Sequence, residues 1–335
     1  MKLFDLTKRL IQIESISGNE QKIADFLFDY LTQLGFDIEF QEVCSGRKNI
    51  YARIGDPQVV FSTHMDTVAP FVDFSEDEQF IYGRGSCDAK GIMAAQITAA
   101  EQLLKEDNNN FGLLFVVDEE EISQGAVEAN KIPNHCKYLI NGEPTSNKMA
   151  VGSKGSLRFK IYTEGKAAHS AYPNMGESAI EKLLDILNDI RNIHFPKHDV
   201  LGDTLMNIGT IKGGVQANVI PAKAEALFLM RIVTSVNEIK SLIEQTVKGW
   251  GQIEYLSDNE PVFTEALEGY ETMVAAYTTD IPKLNNWGKP ILFGPGDILD
   301  AHTDYEKVSK QQLLNAVGMY KNMVIKLLVK IDFIS

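Results

Sequence analysis

The sequence predicts an α/β protein in which a sheet and its helices form a doubly wound layer, interrupted by an inserted ferredoxin-like α+β domain. The first observation is that residues 58–62, 111–117 and 138–140 are apolar and fit buried strands. Each strand leads into histidine or acidic residues, and helices or long connections separate the strands. The second observation is that residues 157–255 follow a β-α-β-β-α-β order, which is that of a split βαβ unit.

The N-terminal segment alternates helices and strands up to the first buried strand. Apolar residues at helical spacing predict amphipathic helices over residues 3–13 and 19–34. Short strands are predicted over residues 37–43 and 49–54. The buried strand that follows ends at His64.

A predicted loop over residues 68–80, rich in Pro and Asp, leads to a glycine-rich stretch at residues 83–91. Because glycine permits backbone shapes that other residues resist, Asp88 could sit close to a group bound at the start of the next helix. The α/β character returns after the inserted domain, with a strand over residues 290–293. An amphipathic helix over residues 310–329 closes the fold.

The inserted segment differs from its surroundings in its alternation of strands and helices. Its predicted strands are residues 157–162, 204–211, 224–232 and a segment starting at 252, and its predicted helices are residues 178–193 and 236–250. The sequence therefore assigns residues 1–156 and 266–335 to one discontinuous domain and residues 157–265 to the insertion.

Composition narrows the class of protein. The 335 residues are 44% hydrophobic, so a sizeable core is expected. The net charge of −14, without a basic run, argues against nucleic acid as a partner. Three scattered cysteines fit reduced thiols in a cytoplasm rather than a disulfide framework. Neither a signal peptide nor a membrane span is recognisable, so we expect a cytoplasmic protein.

Polar side chains follow the predicted strands where each strand ends. His64 and Asp66 are two positions apart, so an extended strand end would point both the same way. Open α/β sheets bind their ligands at that end. The other candidates are Asp88, Glu119, Glu120, Glu143 and His302. Imidazoles with several carboxylates suit zinc or a similar divalent metal, and the set is large enough for two ions roughly 3.5–4 Å apart. Such a pair favours amide hydrolysis.

Five motifs in order resemble those of the co-catalytic zinc aminoacylase and carboxypeptidase family, over nearly the whole chain. They are residues 62–67, 83–91, 118–120 and 142–146, and residues 294–297 together with His302. This family includes acetylornithine and acetylcitrulline deacetylases, succinyl-diaminopimelate desuccinylase, glutamate carboxypeptidase and several dipeptidases. The resemblance implies a zinc-peptidase-like mixed central sheet with helices on both faces. It also implies that the inserted domain is a lid that forms a homodimer.

The resemblance assigns the metal ligands residue by residue. His64 and Glu143 match ligands of one metal, and Asp88 matches the carboxylate that bridges both metals. Glu120 and His302 match ligands of the other metal. Two zinc ions are implied, with cobalt as an alternative. Asp88 could instead be a helix N-cap, Glu143 a turn residue and His302 a surface histidine.

The resemblance also assigns the residues that act on substrate. Glu119 matches the general base, and Asp66 matches a carboxylate that orients a ligand histidine. His169 matches a lid histidine that reaches the partner subunit's active site and polarises the scissile carbonyl. Asn218 and Arg231 resemble lid residues that hold substrate, although Arg231 could equally form a surface or interface ion pair.

The register of the acidic run over residues 118–121 is ambiguous, and the run could be an ordinary solvated turn. We choose Glu119 and Glu120 because Ser123 and Gly125 then fall where the family has Ser and Gly. Residues 278–280 and 305–306 lie where relatives place substrate-facing residues.

The implied activity is hydrolysis of a linear amide by a di-zinc enzyme. The motif around His302 is most similar to those of deacetylases that act on acetylornithine or acetylcitrulline, so N-acetylornithine deacetylation in arginine biosynthesis is the expected reaction. A desuccinylase acting on succinyl-diaminopimelate or succinyl-ornithine is the alternative, followed by a dipeptidase or a deacylase of a lysine precursor. A non-catalytic amino-acid-binding protein is a more distant alternative, because the expected catalytic residues are all present.

Overall fold

The computed structural model describes residues 1–44 and 46–333 and divides into two compact units. The first comprises Met1–Val151, Phe263–Met273 and Thr279–Ser335. The second comprises Gly152–Val262 and Val274–Thr278. None of the helices in the described part of the chain combines the length and the apolar character needed to cross a membrane.

The elements are numbered in chain order. The α-helices are α1 Leu3–Gln12, α2 Gln21–Gln33, α3 Lys90–Lys105, α4 Gln124–Ala129, α5 Ala179–Arg191, α6 Val236–Val247 and α7 Lys310–Asp332. The strands are β1 Asp37–Cys44, β2 Arg47–Ile54, β3 Val59–His64, β4 Ser75–Glu76, β5 Phe80–Tyr82, β6 Phe111–Val116, β7 Tyr138–Asn141, β8 Met149–Ser153, β9 Gly155–Glu164, β10 Lys197–His198, β11 Gly202–Asp203, β12 Leu205–Gly213, β13 Lys223–Ile232, β14 Gln252–Asn259, β15 Val262–Phe263, β16 Thr272–Ala275, β17 Lys289–Leu292 and β18 Lys307–Ser309. Short 3₁₀ helices span Pro173–Met175 and Ile281–Lys283.

The largest described sheet has the strand order β1-β2-β6-β3-β7-β17-β8-β15, with β16 beside β8. Strands β6, β3, β7 and β17 run parallel, and the strands on either side of them are antiparallel. The sheet is therefore mixed. Strands β3, β6 and β7 are buried along their whole length, which explains why their sequences are continuously apolar rather than alternating.

Both faces of this sheet are covered, because successive strand residues point to opposite sides. Phe61 packs into a core formed with helices α1, α2, α3 and α7. Its neighbour Val60 packs into the opposite core, with α4 and Trp287. The Trp287 indole donates a hydrogen bond of 3.2 Å to the Ala129 carbonyl and meets the Tyr51 ring edge-on, so both polar and apolar parts of this side chain are accommodated.

The parallel strands bring the segments that follow them to one edge of the sheet. In the ladder, His64 at the end of β3 lies beside Val116 at the end of β6. Asn141 ends β7 and pairs with Leu292, the last residue of β17. The segments that follow these four strands therefore start at the carboxyl edge, where open α/β sheets bind ligands.

The second unit has a sheet of order β12-β13-β9-β14, with antiparallel pairing throughout its described strands. Helices α5 and α6 pack on it around the stacked rings of Phe159 and Phe228, whose centroids are 4.7 Å apart. The Ser178 and Ser235 hydroxyls accept hydrogen bonds at the two helix N-termini, which fixes where these helices begin. The order β9-α5-β12-β13-α6-β14 confirms the predicted ferredoxin-like α+β insertion.

The fold class is confirmed, but the prediction that residues 68–80 form a loop is incomplete. Strands β4 and β5 arise in and just beyond this segment and form a small sheet with β18. Strands of two or three residues leave no periodic pattern in the sequence. They form here because β5 pairs with β18, more than 220 positions away in the chain, and β4 then pairs with β5.

Tyr320 on α7 provides a test of the core that supports the sheet. Its ring is fully buried between Phe61 and Phe293, and its hydroxyl donates a 2.7 Å hydrogen bond to the Phe293 carbonyl. We expect Tyr320→Phe to lower the free energy of unfolding by about 1–3 kcal/mol, because it removes the donor to a buried acceptor. Tyr320→Ala should cost about 3–5 kcal/mol, because it also opens a cavity. Urea unfolding measures both, and equal losses would contradict this account.

Candidate metal centre

The first unit brings seven of the sequence-predicted site residues together at the carboxyl edge of the sheet. Five of them form two groups of three that share one residue, and in each group the possible ligand atoms lie within 4.8 Å of one another. One group is His64, Asp88 and Glu143, and the other is Asp88, Glu120 and His302. Asp88 belongs to both groups, which is the arrangement expected of a carboxylate that bridges two ions.

The Asp88 carboxylate lies between the two histidines. Its Oδ1 is 2.9 Å from His64 Nε2, and its Oδ2 is 3.5 Å from His302 Nε2. Asp88 does not cap helix α3, because Ala89 occupies the N-cap position and no side chain caps it. Gly91 allows the tight loop before α3, since a Cβ there would lie 2.2 Å from the Ser86 carbonyl oxygen.

Asp66 acts on the centre through two different groups. Its backbone carbonyl lies 3.0 Å from His64 Nδ1, whereas its carboxylate Oδ1 is 3.6 Å away from that nitrogen. Because Nδ1 donates to that carbonyl, Nε2 is the ring nitrogen that faces Asp88, where it donates to the carboxylate and would bind a metal once it has lost its proton. The carboxylate itself accepts hydrogen bonds from the Glu119 and Glu120 amides, at 3.1 and 3.2 Å, and from the Ser17 hydroxyl at 2.7 Å. Sequence reasoning missed that Asp66 holds the acidic loop.

The four acidic residues after β6 occupy different positions. Asp118 adopts a left-handed backbone with φ 72°, and its carboxylate accepts from Arg47 at 2.7 Å and from the Gln124 amide at 3.3 Å. It thereby shapes the turn. Glu120 lies 3.0 Å from His302 Nε2, and Glu121 is exposed. The chosen register, in which Glu120 is the ligand candidate, therefore agrees with the geometry.

Burial and neighbouring charges raise the pKa values of some groups in the centre and lower that of another. Burial and the negative charge of Glu143 raise the pKa of Glu119 well above its usual value. Hydrogen bonds to Asp88 and Glu120 raise the pKa of His302 to about 10. Burial opposes ionisation of Asp88, but the hydrogen bonds from His302 and His64 outweigh it and lower the pKa of Asp88. Asp88 is therefore the carboxyl of the centre whose ionised form is favoured, and it lies between two imidazoles, whereas burial disfavours ionisation of Glu119.

The donor chemistry of this cluster fits divalent metal ions. It combines imidazole nitrogen with carboxylate oxygen, which zinc and similar first-row ions accept. Each group supplies three protein ligands, the number found in catalytic sites that keep a position open for water or substrate. The first group is buried throughout, whereas the side chain of His302 in the second group is 49% exposed.

The residues that the sequence places near substrate differ in their exposure to solvent. Tyr305 is 83% exposed, whereas Glu306 is fully buried with its carboxylate bonded to Arg84. Glu306 therefore does not fit a substrate-facing role. Thr279 and Asp280 are also buried, and burial raises the pKa of Asp280 to about 7.

The remaining predicted residues belong to the second unit. His169 and Asn218 lie on neighbouring segments, because the Asn218 carbonyl accepts a 3.0 Å hydrogen bond from the Ser170 amide. The His169 Nδ1 accepts the Ala171 amide at 3.1 Å. Arg231 lies apart from them on β13, where its guanidinium donates to the Thr278 hydroxyl at 3.1 Å.

Comparison with known proteins places the chain in a family. The sequence profile of a peptidase dimerisation domain matches residues 151–249. A peptidase M20 domain-containing protein of Schizosaccharomyces pombe is 41% identical over 96% of this chain and 84% of its own length. The chain belongs to the M20 peptidase family. The resemblance identified from the motifs is thus confirmed at the level of the family, and a special closeness to acetylornithine deacetylase stays a prediction.

Two further proteins illustrate the range of similarity. A probable carboxypeptidase of Aspergillus clavatus is 34% identical over 97% of this chain and 89% of its own length. A Bacillus subtilis protein described as a dinuclear metal-binding peptidase from the M20 family has the same fold. The TM-score is 0.72, with 15% identity, and the match covers 97% of each chain.

The protonation of His302 predicts how metal binding by this M20 chain depends on pH. A ligand imidazole must be neutral, so below about pH 10 a bound metal displaces a proton from His302. Lowering the pH adds that proton back and weakens binding. We expect zinc affinity to rise from about pH 6 to about pH 8 by up to roughly tenfold per pH unit for each proton released. Calorimetry in buffers of different ionisation enthalpy counts these protons.

A matched pair of variants tests whether His302 causes the pH dependence of zinc affinity. His302→Gln should reduce both the affinity and its slope with pH. His135→Gln should leave both unchanged, because His135 is exposed and its imidazole pairs with Asp56 rather than with any of the five candidate ligands. A zinc affinity that does not vary with pH would contradict the prediction.

Proposed function

We propose that this protein is a dinuclear metallopeptidase that hydrolyses the amide bond of a small peptide or N-acyl amino acid. The observation that carries the proposal is that Asp88 is shared by two three-residue ligand groups, with the Glu119 carboxyl beside them. The names of the M20 relatives, which include peptidase and probable carboxypeptidase, support a peptide-like substrate.

His64, Asp88 and Glu143 would hold one ion, and Asp88, Glu120 and His302 the other. Zinc fits this nitrogen and oxygen donor set, and cobalt is an alternative. When bound, such a pair supplies a water that ionises near neutral pH and a Lewis acid for the amide carbonyl. The Asp66 carbonyl orients His64 through Nδ1, so that Nε2 is the ring nitrogen that would bind the metal.

Glu119 is proposed to carry the proton of the reaction. Its carboxylate takes a proton from the attacking water while the new carbon–oxygen bond forms. The protonated carboxyl then gives that proton to the amide nitrogen as the carbon–nitrogen bond breaks, so that an acid and an amine are released. The place of Glu119 supports this role, because its carboxyl interacts electrostatically with Glu143, His64 and Glu120 and so lies among the candidate ligands.

The narrower assignment to N-acetylornithine deacetylation in arginine biosynthesis stays a prediction from the sequence motifs. The relatives' names favour a dipeptide or another peptide with a free carboxylate over an acetylated amino acid. A succinylated amino acid is the third candidate. All three contain the same scissile amide group, so the metal centre serves each of them without change.

The inserted domain, residues 157–265, is proposed to be the lid and the dimer contact. The match of residues 151–249 to a peptidase dimerisation domain supports a homodimer. Within this domain we propose that His169 acts on the carbonyl of substrate bound by the partner subunit, and that Asn218 and Arg231 hold the substrate. The adjacent placement of His169 and Asn218 supports a common task for these two residues.

Glu119→Gln tests the proposed chemistry. The amide cannot accept the proton, so we expect turnover to fall by about 10²–10⁴-fold while both metals stay bound. The assay would use zinc- or cobalt-loaded protein with dipeptides, acetylornithine, acetylcitrulline, succinyl-ornithine and succinyl-diaminopimelate, and would detect the released amine.

Glu121→Gln is the matched control, because Glu121 is in the same acidic run but exposed. It should keep its activity. Hydrolysis of one substrate class by the unchanged protein and its loss in Glu119→Gln would support the proposal and name the class. Full activity in Glu119→Gln, or no hydrolysis of any substrate by a protein that holds two metals, would overturn it.

Mixing two inactive variants tests whether His169 acts across the dimer. Glu119→Gln protein and His169→Ala protein would be mixed in equal amounts, dissociated and reassociated. Half of the dimers then contain one subunit of each variant. If His169 serves the partner's site, each such heterodimer has one site in which both Glu119 and His169 are intact. We expect about a quarter of the wild-type activity to return. No recovery, in a mixture shown to contain mixed dimers, would mean that His169 does not serve the partner's site.

A further inference from the structure

Glu306 is a fully buried carboxylate that the proposed reaction does not use. It lies four residues after His302 and directly before strand β18. A buried carboxylate is rarely tolerated unless it is paired and hydrogen-bonded, so its partners indicate what it does. The role of Glu306 inferred from these partners rests on the proposed metal centre.

One oxygen of Glu306 holds the backbone of the loop that carries Asp88. Its Oε1 accepts hydrogen bonds from the amides of Gly85, Cys87 and Asp88, at 3.0, 3.1 and 3.1 Å. Three converging amides around one charged oxygen form an anion nest. Because the third donor is the amide of Asp88 itself, this oxygen fixes the residue whose carboxylate lies between the two histidines.

The other oxygen of Glu306 binds a buried arginine. Its Oε2 accepts a 2.7 Å hydrogen bond from Arg84 Nη1, and both side chains are at most 1% exposed. Arg84 also donates to the Thr303 carbonyl at 3.1 Å and to the Pro70 carbonyl at 3.0 Å. Thr303 directly follows His302. The ion pair therefore ties the segment that carries His302 to the loop that carries Asp88.

We propose that the Arg84–Glu306 ion pair is the positioning device of the dinuclear centre. It sets the distance between Asp88 and His302, and so allows one carboxylate to serve both metal ions. In this role Glu306 is a positioning residue, since it acts on the metals only through the backbone of other residues. The competing view is that the pair only stabilises the fold.

Glu306→Gln is the decisive variant, because its amide keeps the shape and one acceptor but removes the charge. We expect a roughly 10–100-fold loss of zinc affinity, as is typical when a partner behind a ligand is changed. Competition with a chelator measures this. With manganese in place of zinc, the electron paramagnetic resonance signal of a coupled ion pair should weaken. In the assay kcat should fall, with KM within about twofold, because substrate-holding residues are untouched.

A second measurement examines the loop that carries Asp88, and it requires neither bound metal nor enzymatic activity. In metal-free Glu306→Gln protein, we expect faster hydrogen exchange at the amides of Gly85, Cys87 and Asp88 than in the wild type, because their shared acceptor has lost its charge. Amides in β3 should be unchanged. Equal exchange rates at the three loop amides in the two proteins would overturn the proposal, whether or not the protein proves to be an enzyme.

Leu327→Ala separates positioning from stability. Leu327 is fully buried on α7, and its truncation should lower the unfolding midpoint without touching either loop. The proposal requires that Leu327→Ala keep the wild-type zinc affinity while Glu306→Gln loses it. Equal loss in both variants, or unchanged affinity in Glu306→Gln, would overturn it. A wild-type protein that binds two metals but hydrolyses nothing would instead overturn the proposed function and leave the affinity comparison valid.

Discussion

The mutual repulsion of the carboxylates around Asp88 is the constraint on which this structure depends. Burial and neighbouring negative charge raise the pKa values of Glu119 and Glu143 well above their ordinary range. Such a cluster assembles only where rigid elements force the groups together and opposite charge compensates them. The parallel strands β3, β6 and β7 provide the rigid elements, because all three end at one edge of the sheet. His64 and His302 provide part of the compensation.

A second layer of polar contacts holds each acidic segment from behind. Asp66 accepts the amides of Glu119 and Glu120, and Glu306 accepts three amides of the loop that carries Asp88. In both cases the carboxylate accepts hydrogen bonds from backbone amides of the acidic segment rather than from its side chains. The side chains at the centre thereby keep their own oxygens available as ligands. A fully buried anion is used to orient other anions, which is possible because backbone amides supply the intervening positive dipoles.

The parts of the fold and of the site that could be predicted from sequence are those with local signals. Continuous apolar strands with polar ends predicted β3, β6 and β7, and the spacing of His64 and Asp66 predicted a site at that edge. The ion pair of Arg84 with Glu306 joins residues 222 positions apart, and no local pattern reports such a contact. The short strand β5 depends on β18 in the same way, and β4 pairs in turn with β5. Sequence signals thus identify ligand candidates better than the residues that position them.

The two ligand groups differ in their access to solvent, so that one side of the centre is buried and the other side is exposed. His64, Asp88 and Glu143 are all buried, so an ion held there is surrounded by protein. The His302 side chain is 49% exposed and is held in a left-handed backbone conformation with φ 63°. The His302 side of the centre is therefore the one open to solvent, while the other side is enclosed by protein around Asp88. The Arg84–Glu306 ion pair connects the segment that carries His302 to the loop that carries Asp88. It therefore fixes the position of the exposed ligand group relative to the buried group without burying His302.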